Sequence, residues 1–413
     1  MKQLIHTPEG VRDIYGQECD RKRYLRRRIE KLFRSYGYQS IETPTFEFFE
    51  VFGKEVGTTP SRNLYKFFDR EGSTLVLRPD FTPSIARAAA MYFQEEDMPI
   101  RLCYQGRVYS NNNSYQGRLK ESSQIGIELL NDNSPEADAE AVALAVFSMQ
   151  RAGLTDFQLT ISDAGFYGAL TEEAGISPEQ AEALKQQLIL GNRFGAQELI
   201  ENMNLPEEIE GFLLQLPDLI GGEEVLERAA ALSSNARVQD IIARLKKINI
   251  ILQDYDAASY ITYDLSMVSE YKYYTGILMQ AFTYGSGSAV LKGGRYDSLL
   301  EHFGKKAAAI GFGVDLDGLY NALERQGIDL PVTDIKKMVL YPAELKGKAV
   351  RYASACREAG QDVACVLRDA ARSDEDYVNY GKRNQFAEII CLCAEDQAKV
   401  ISLTDGKERT CDI

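Results

Sequence analysis

The segment IRLCYQGRVYSNNNSYQGRLKESSQIGIELL, residues 100–130, restricts the fold more than any other part of the chain. Apolar and polar side chains alternate in RLCYQGRV and again in SQIGIELL, the period of a strand with one buried and one open face. A polar turn separates the two runs, and glycines frame them at Gly106, Gly117 and Gly126. Two such runs joined by a turn make an antiparallel hairpin, so a sheet with one accessible face is expected here. Gln124 and Glu128 sit four residues apart on the second strand and therefore share a face. A hairpin of this shape suits a phosphate or a small charged ligand. Its tip, however, is Ser110, Asn111, Asn112 and Asn113, which carry no charge.

Further short β-like runs surround the hairpin: YQSIETPTFE, NLYKFFD, STLVLRPD, DFQLTISD, SYITYDLSMVS, YYTGILMQAFTYG and SAVLKGGRYD. Pro44 makes the first of them an edge or interface segment. Helices are expected from Cys19 to Tyr36, over TPSIARAAAMYF, and over PEADAEAVALAVFSMQRAG, which Gly153 closes. Arg21, Lys22, Arg23, Arg26, Arg27 and Arg28 lie mostly on the polar side of the first helix, as a solvated helix face does. Residues from about 164 to 255 turn rich in Glu, Gln, Leu and Ala at helical spacing and read as a helical insertion. The class is α+β, antiparallel sheet with helices packed on it. IDLPVTD, residues 328–334, reads as a linker. Residues 1–325 then form the main domain, and 335–413 a small α/β domain of alternating strands and helices.

A chain of 413 residues is long for one core. Its net charge of −14 repels a phosphate backbone, which disfavours nucleic acid as a partner. No apolar run approaches the ~20 residues that span a bilayer. MKQLIHTPEGVRD has no apolar signal stretch, so a cytoplasmic chain with no membrane contact is expected. Seven scattered cysteines do not make a disulfide framework. Cys391 and Cys393 form C-x-C on an apolar run that would aim both at one face, but His6 and His302 are the only histidines. Neither a structural metal nor a cofactor is expected.

Four segments carry the chemistry. They are TLVLRPDFTPSIARA (74–88), the hairpin, SEYKYYTGILMQ (269–280) and VLKGGRYDSLLEHFGKKAAAIGFGVDLDGL (290–319). Singly, each has an ordinary reading: Arg78 and Asp80 as a surface pair, Gly293, Gly294 and Gly313 as turns or close-packed strand positions, Tyr273 and Tyr274 as core aromatics. In this order, the chain resembles the catalytic domain of histidyl-tRNA synthetase, a class II aminoacyl-tRNA synthetase, over roughly residues 1–325. YGYQSIETPTFE resembles the first class motif, which builds a dimer interface through its proline, here Pro44. LRPDFT resembles an amino-acid-binding L-R-P-E-x-T, and the hairpin resembles the second class motif. SEYKYYTG resembles a histidine-specific R-G-L-D-Y-Y-T-G, and IGFGVDLDGL the third motif. The last 80 residues resemble a shortened anticodon-binding domain.

The resemblance breaks where the synthetases hold ATP. Their second motif sets an arginine on the α-phosphate and a glutamate nearby; Ser110 and Asn112 occupy those positions. Ser269 stands for a second arginine, and Asp317 and Gly318 for the closing Glu-Arg pair. Losing one preorganised cation at a phosphoryl centre costs ~3 kcal/mol, or a factor of 10²–10³, so losing three implies an inactive adenylation site. The amino-acid side is retained. Asp80 and Thr82 match residues that hold the α-amino group, with Asp for Glu. Gln124 and Glu128 match residues that hold the amino group, imidazole or carboxylate, and Tyr273 and Tyr274 match the tyrosines beside the imidazole. Carboxylate and tyrosine hydroxyls on opposite sides of a flat ring suit histidine.

TPEGVRDIYG, LRPDFTPSIARA and KGGRYDSLL also resemble the family of regulatory subunits of ATP phosphoribosyltransferase, which combines the synthetase fold, missing adenylation residues and a link to histidine. The resemblance implies a non-catalytic chain. Its partner would be the short-form catalytic subunit, in a hetero-octamer built on a homodimer of this chain. It would act in feedback by L-histidine at the first step of histidine biosynthesis, with no role for tRNA. An active histidyl-tRNA synthetase and a synthetase-like binding module of another role are the alternatives. Histidine-dependent pyrophosphate exchange would reveal the first.

Overall fold

The structure is a computed structural model and describes residues 5–53, 59–112, 119–268, 273–331, 336–394 and 397–412. It divides into two compact units, one built on Leu25–Asp329 and the other on Leu330–Ile413 together with Ile14–Tyr24.

The chain enters through helix α1 (Gly16–Ser35), whose Leu25, Ile29, Leu32 and Phe33 recur on one side and are buried. Two short strands follow, β1 (Gln39–Ser40) and β2 (Phe46–Phe48), with Pro44 in the break between them. Next come β3 (Lys66–Phe68), β4 (Thr74–Leu77) and helix α2 (Thr82–Tyr92). The hairpin is β5 (Ile100–Tyr109) and β6 (Glu121–Leu130), ten residues each and paired along their whole length.

Helix α3 (Pro135–Ala152) starts with Ser134, which accepts from the Ala137 amide at 3.1 Å, and stops at Gly153 in the left-handed region, φ 104°. Strand β7 (Phe157–Asp163) leads into the insertion. This comprises α4 (Ala164–Glu173), α5 (Pro178–Ile189), α6 (Arg193–Glu201), α7 (Glu207–Gln215), the two-residue β8 (Ile220–Gly221), α8 (Glu224–Leu232) and α9 (Ala236–Asp254). Strands β9 (Ile261–Asp264), β10 (Ile277–Thr283), β11 (Leu291–Arg295) and β12 (Ala309–Asp315) then complete the unit with helix α10 (Leu316–Arg325).

These strands form one nine-stranded sheet in the order β1-β5-β6-β12-β11-β10-β7-β9-β8, and β2-β4-β3 form a small second sheet. Pairing in the large sheet is antiparallel except at β1–β5 and β7–β9. The main unit is therefore α+β, as the alternation implies. One face of the sheet is closed: α3 lies on β6, β7, β10 and β12, and Phe33 of α1 meets Phe312 edge-on at 5.7 Å. Ile125, Ile127 and Leu129 point there and are essentially inaccessible. Residues of the other parity line an open trough: Gln124 and Glu128 on β6, Gly311 and Gly313 on β12, Lys292 on β11 and Gln280 on β10.

One arginine–aspartate contact, Arg244 to Asp138, fastens the insertion to this frame, and two more within the frame support it. Asp138 of α3 is fully buried; it accepts from Arg295 of β11 at 2.8 and 2.6 Å and from Arg244 of α9 at 2.8 Å. Arg295 also bonds Asp297 at 3.0 Å.

The second unit carries a five-stranded sheet, β14-β13-β15-β16-β17, from β13 (Lys336–Tyr341), β14 (Val363–Leu367), β15 (Phe386–Leu392), β16 (Gln397–Ser402) and β17 (Glu408–Asp412). Helices α11 (Lys346–Glu358) and α12 (Asp374–Arg383) supply Ala349 and Ala353 to one apolar cluster and Tyr377 to another. The C-x-C expectation is corrected in part. Strand β15 ends at Leu392, so Cys391 is buried while Cys393 leaves the pleat and is exposed.

Candidate ligand-binding site

The site forms where the hairpin, the start of α2 and the loops around β10 and β11 meet. Asp80 stands directly before α2. Its carboxylate accepts from the Phe81 amide at 2.7 Å and is also bonded by the Thr82 amide and the Gln124 side chain. A carboxylate before a helix start meets unpaired N–H groups and the positive end of the helix dipole, so Asp80 is partly used as a cap. Burial nevertheless raises its pKa.

Thr82, the first residue of α2, turns its hydroxyl inward and donates to Glu128 Oε1 at 2.7 Å. The Tyr296 hydroxyl donates to Glu128 Oε2. Glu128 is 0% exposed, and its pKa is pushed up to about 8. Burial is the main cause and the Asp80 charge adds to it, while the bonds from Tyr296 and Thr82 oppose it.

The sheet makes room for these side chains with glycine. Gly311 pairs with Glu128 across the β12–β6 ladder, and a Cβ there would overlap the Glu128 carboxylate. A Cβ at Gly313 would overlap the Gln124 amide. Both long polar side chains therefore lie back over the neighbouring strand instead of standing up into water. The Gln124 Oε1 is buried with no hydrogen-bond partner among the described residues. An unmet buried acceptor is costly, and a ligand or a water entering the site can supply the donor.

Aromatic rings close the site. Tyr273 and Tyr274 lie 4.6 Å apart, and Tyr273 meets Tyr296 edge-on at 6.1 Å. Tyr273 is buried in the core cluster, and Tyr274 is half-buried over Gly294. Tyr104 stacks on Phe81 at 4.6 Å, and the Arg78 guanidinium lies over the same Phe81 ring at 3.9 Å. Arg78 is not a surface partner of Asp80. It is buried and donates to the carbonyls of Thr43, Pro44 and Arg107 at 2.8, 3.2 and 2.8 Å. It fixes the loop that presents Asp80 and Thr82.

The structure thus brings Asp80, Thr82, Gln124 and Glu128 into one hydrogen-bonded cluster, with Tyr273 and Tyr274 beside it. It adds Tyr104 and Tyr296, to which the sequence assigned no role, although Tyr296 belongs to the quoted GGRYD. Ser110 follows β5 directly with its amide on the Lys120 carbonyl at 2.9 Å, Asn112 is half-buried just beyond, and Gly318 lies in the first turn of α10 over Asp315. Ser269 lies outside the described residues. Along the trough, Tyr274 also lines a cavity of about 380 Å³ together with Gln280, Lys292 and Asp264.

Comparison with known proteins places this geometry. Residues 10–319 match the family model described as histidyl-tRNA synthetase. An ATP phosphoribosyltransferase regulatory subunit of Acetivibrio thermocellus is 38% identical over 403 residues, 98% of this chain and 96% of its own length. The same protein of Bacillus pumilus is 37% identical over 89% of this chain and 92% of its own. Among solved structures, an ATP phosphoribosyltransferase regulatory subunit/histidyl-tRNA synthetase from Bacillus halodurans superposes with a TM-score of 0.84 at 31% identity, covering 95% of this chain and 99% of that one. A histidyl-tRNA synthetase from Nostoc shares the fold, with a TM-score of 0.82 at 19% identity over 99% and 97% of the two chains.

Proposed function

This chain belongs to the family of ATP phosphoribosyltransferase regulatory subunits, and from that premise we propose that it is a non-catalytic partner of the short-form catalytic subunit, required for that subunit's activity, and that it takes L-histidine into the Glu128 pocket as a feedback signal in histidine biosynthesis. The observation that carries the reading is the asymmetry of the trough. Its amino-acid end keeps a buried acceptor cluster of Asp80, Gln124 and Glu128 with aromatic walls. Its ATP end has Ser110, Asn112 and Gly318 at positions where the synthetases place two arginines and a glutamate, and Ser269 replaces a third arginine. A site with acceptors but without the charges that stabilise a leaving pyrophosphate binds an amino acid and does not activate it.

Binding then acts by shifting populations. Histidine favours one arrangement of the regulatory dimer, and a coupling of ~1–3 kcal/mol to the catalytic partner is enough for a feedback switch. The dimer itself is carried by the small sheet. Phe46, Phe48, Phe67 and Phe68 of β2 and β3 are 52, 56, 37 and 72% exposed, an apolar patch next to the motif containing Pro44 that a second copy would cover. Four copies of each of the two chains would assemble into a hetero-octamer, without tRNA and without a membrane. No helix among the described residues is long and apolar enough to cross one.

The test is reconstitution. The chain is mixed with a short-form catalytic subunit from the same organism, and phosphoribosyl-ATP formation is followed with and without histidine. Activity only in the mixture, suppressed by histidine, is the expected result. A folded catalytic partner that stays inactive in the mixture overturns the proposal.

A further inference from the structure

Among the described residues of the main unit two carboxyl groups are 0% exposed, Asp138 and Glu128, and their surroundings differ in one respect. Asp138 faces two guanidinium groups, Arg295 and Arg244. Glu128 faces none: among the described residues it has no ion pair, and the groups bonded to it are the neutral hydroxyls of Thr82 and Tyr296. From α2 it meets Thr82, and from the segment before α2 it meets Asp80. From β5 it meets Tyr104, whose titration responds to Glu128, and from the segment after β11 it meets Tyr296. Tyr38, ahead of β1, also feels its charge, and β12 opposes it only with Gly311. The one charge in this set other than its own is the negative Asp80.

Moving a carboxylate out of water without a counter-charge is costly, and such a group keeps its proton instead. We propose that Glu128 is a neutral acid in the empty pocket and that a cationic nitrogen of the ligand displaces its proton, so that the site exchanges a proton for the ligand's positive charge and its occupancy is coupled to pH. This rests on the reading of the pocket as the histidine site and adds a regulation to it. The exchange balances. The O–H bond of Glu128 breaks, its proton passes to bulk water, the ligand keeps its own protons, and the carboxylate becomes the counter-ion of the bound α-ammonium. The raised pKa of Glu128 agrees with this, and the unmet Gln124 Oε1 offers the same incoming group a second acceptor.

The proposal separates the regulator's response from simple occupancy. Below the pKa of Glu128, each unit of falling pH weakens binding on the order of tenfold, because a proton must leave for each ligand that enters. An acidified cell would thereby relieve the feedback at unchanged histidine concentration.

The experiment has two arms, on the full chain. In the first, thermal unfolding of the ligand-free protein and of Glu128→Gln is compared from pH 5.5 to 9. A carboxyl whose folded pKa is raised allows full stability below its unfolded pKa and loses it as pH rises toward the folded value. The variant's advantage should therefore grow with pH and level off above about 8. A constant difference overturns the neutral acid. In the second arm, L-histidine is titrated calorimetrically at pH 7 in two buffers of different ionisation heat. The expected release is close to one proton per site, and none in Glu128→Gln, which also subtracts the ligand's own titration. Histidine binding without proton release overturns the exchange. No histidine binding, alongside a growing difference in the first arm, overturns the histidine reading while supporting the neutral acid. Should Glu128→Gln fold poorly, Tyr296→Phe serves: losing that hydroxyl moves the proton-release window to higher pH, and an unmoved window counts against the proposal.

Discussion

Gly311 and Glu128 are cross-strand partners, and the missing side chain of the first is the space occupied by the carboxylate of the second. A pocket built this way stores its shape in the backbone register: a buried acid lies flat over a strand that has nothing to oppose it. Gly311→Ala should therefore expel the Glu128 side chain from its place between Thr82 and Tyr296. Overpacking of this kind costs about 1–3 kcal/mol. Urea unfolding should show that loss, and calorimetry should show histidine binding weakened beyond detection. Unchanged binding in a destabilised protein would mean that Glu128 is structural only.

Asp138 leads to a second expectation. Its carboxylate neutralises Arg295 and Arg244 together, so Asp138→Ala strips Arg244 of its acidic partner and leaves the 3% exposed Arg295 with Asp297 alone. Breaking a buried pair from one side costs about 3–5 kcal/mol. The Arg295 carbonyl also accepts from the Thr275 amide at 2.8 Å, next to Tyr274. Hydrogen exchange should speed up in α9 and in β11 together, and histidine affinity should fall with them. Exchange confined to α9 would show that the triad holds the insertion without positioning the tyrosines.

How far the sequence predicted all this can be judged residue by residue. Strands β5 and β6 were legible because a period of two between turn signals admits no other element. Tyr296 was in plain view in GGRYD, but its partner lies 168 residues away and no local pattern links them. Arg78 read as a surface residue because burial of an arginine depends on carbonyls supplied from elsewhere, here Thr43, Pro44 and Arg107. Asp80 carried a signal that went unused: an acid two residues before a Thr-Pro is a helix-start pattern. Strand β17 was missed because ERTCD, exposed at a sheet edge, has no apolar face to show.

The exposed phenylalanines allow a third test. Phe46 and Phe67 already meet edge-on at 5.8 Å, which leaves Phe48 and Phe68 as the outermost rings. Phe48→Ser with Phe68→Ser should convert the proposed dimer to monomer in sedimentation velocity while leaving the unfolding midpoint of the monomer nearly unchanged, since surface changes usually stay within about 0.5 kcal/mol. A sedimentation profile identical to that of the unaltered protein would place the copies' contact elsewhere.

Arginine substitutions test the proposal that the trough does not activate an amino acid. Ser110 follows β5 directly, its amide held by the Lys120 carbonyl across the turn, so an arginine there would start from a fixed backbone. One cation restores about 3 kcal/mol of transition-state stabilisation, but the positions of Ser269 and Gly318 would still lack theirs. Ser110→Arg alone should thus leave histidine-dependent pyrophosphate exchange below detection, as in the unaltered chain, while ATP binding strengthens modestly. Adding arginines at Ser269 and Gly318 should bring exchange above background only in the triple variant, because groups that act on one developing charge are not additive. Exchange in the unaltered chain would refute the reading of the site as inactive and point to ATP contacts outside those three positions.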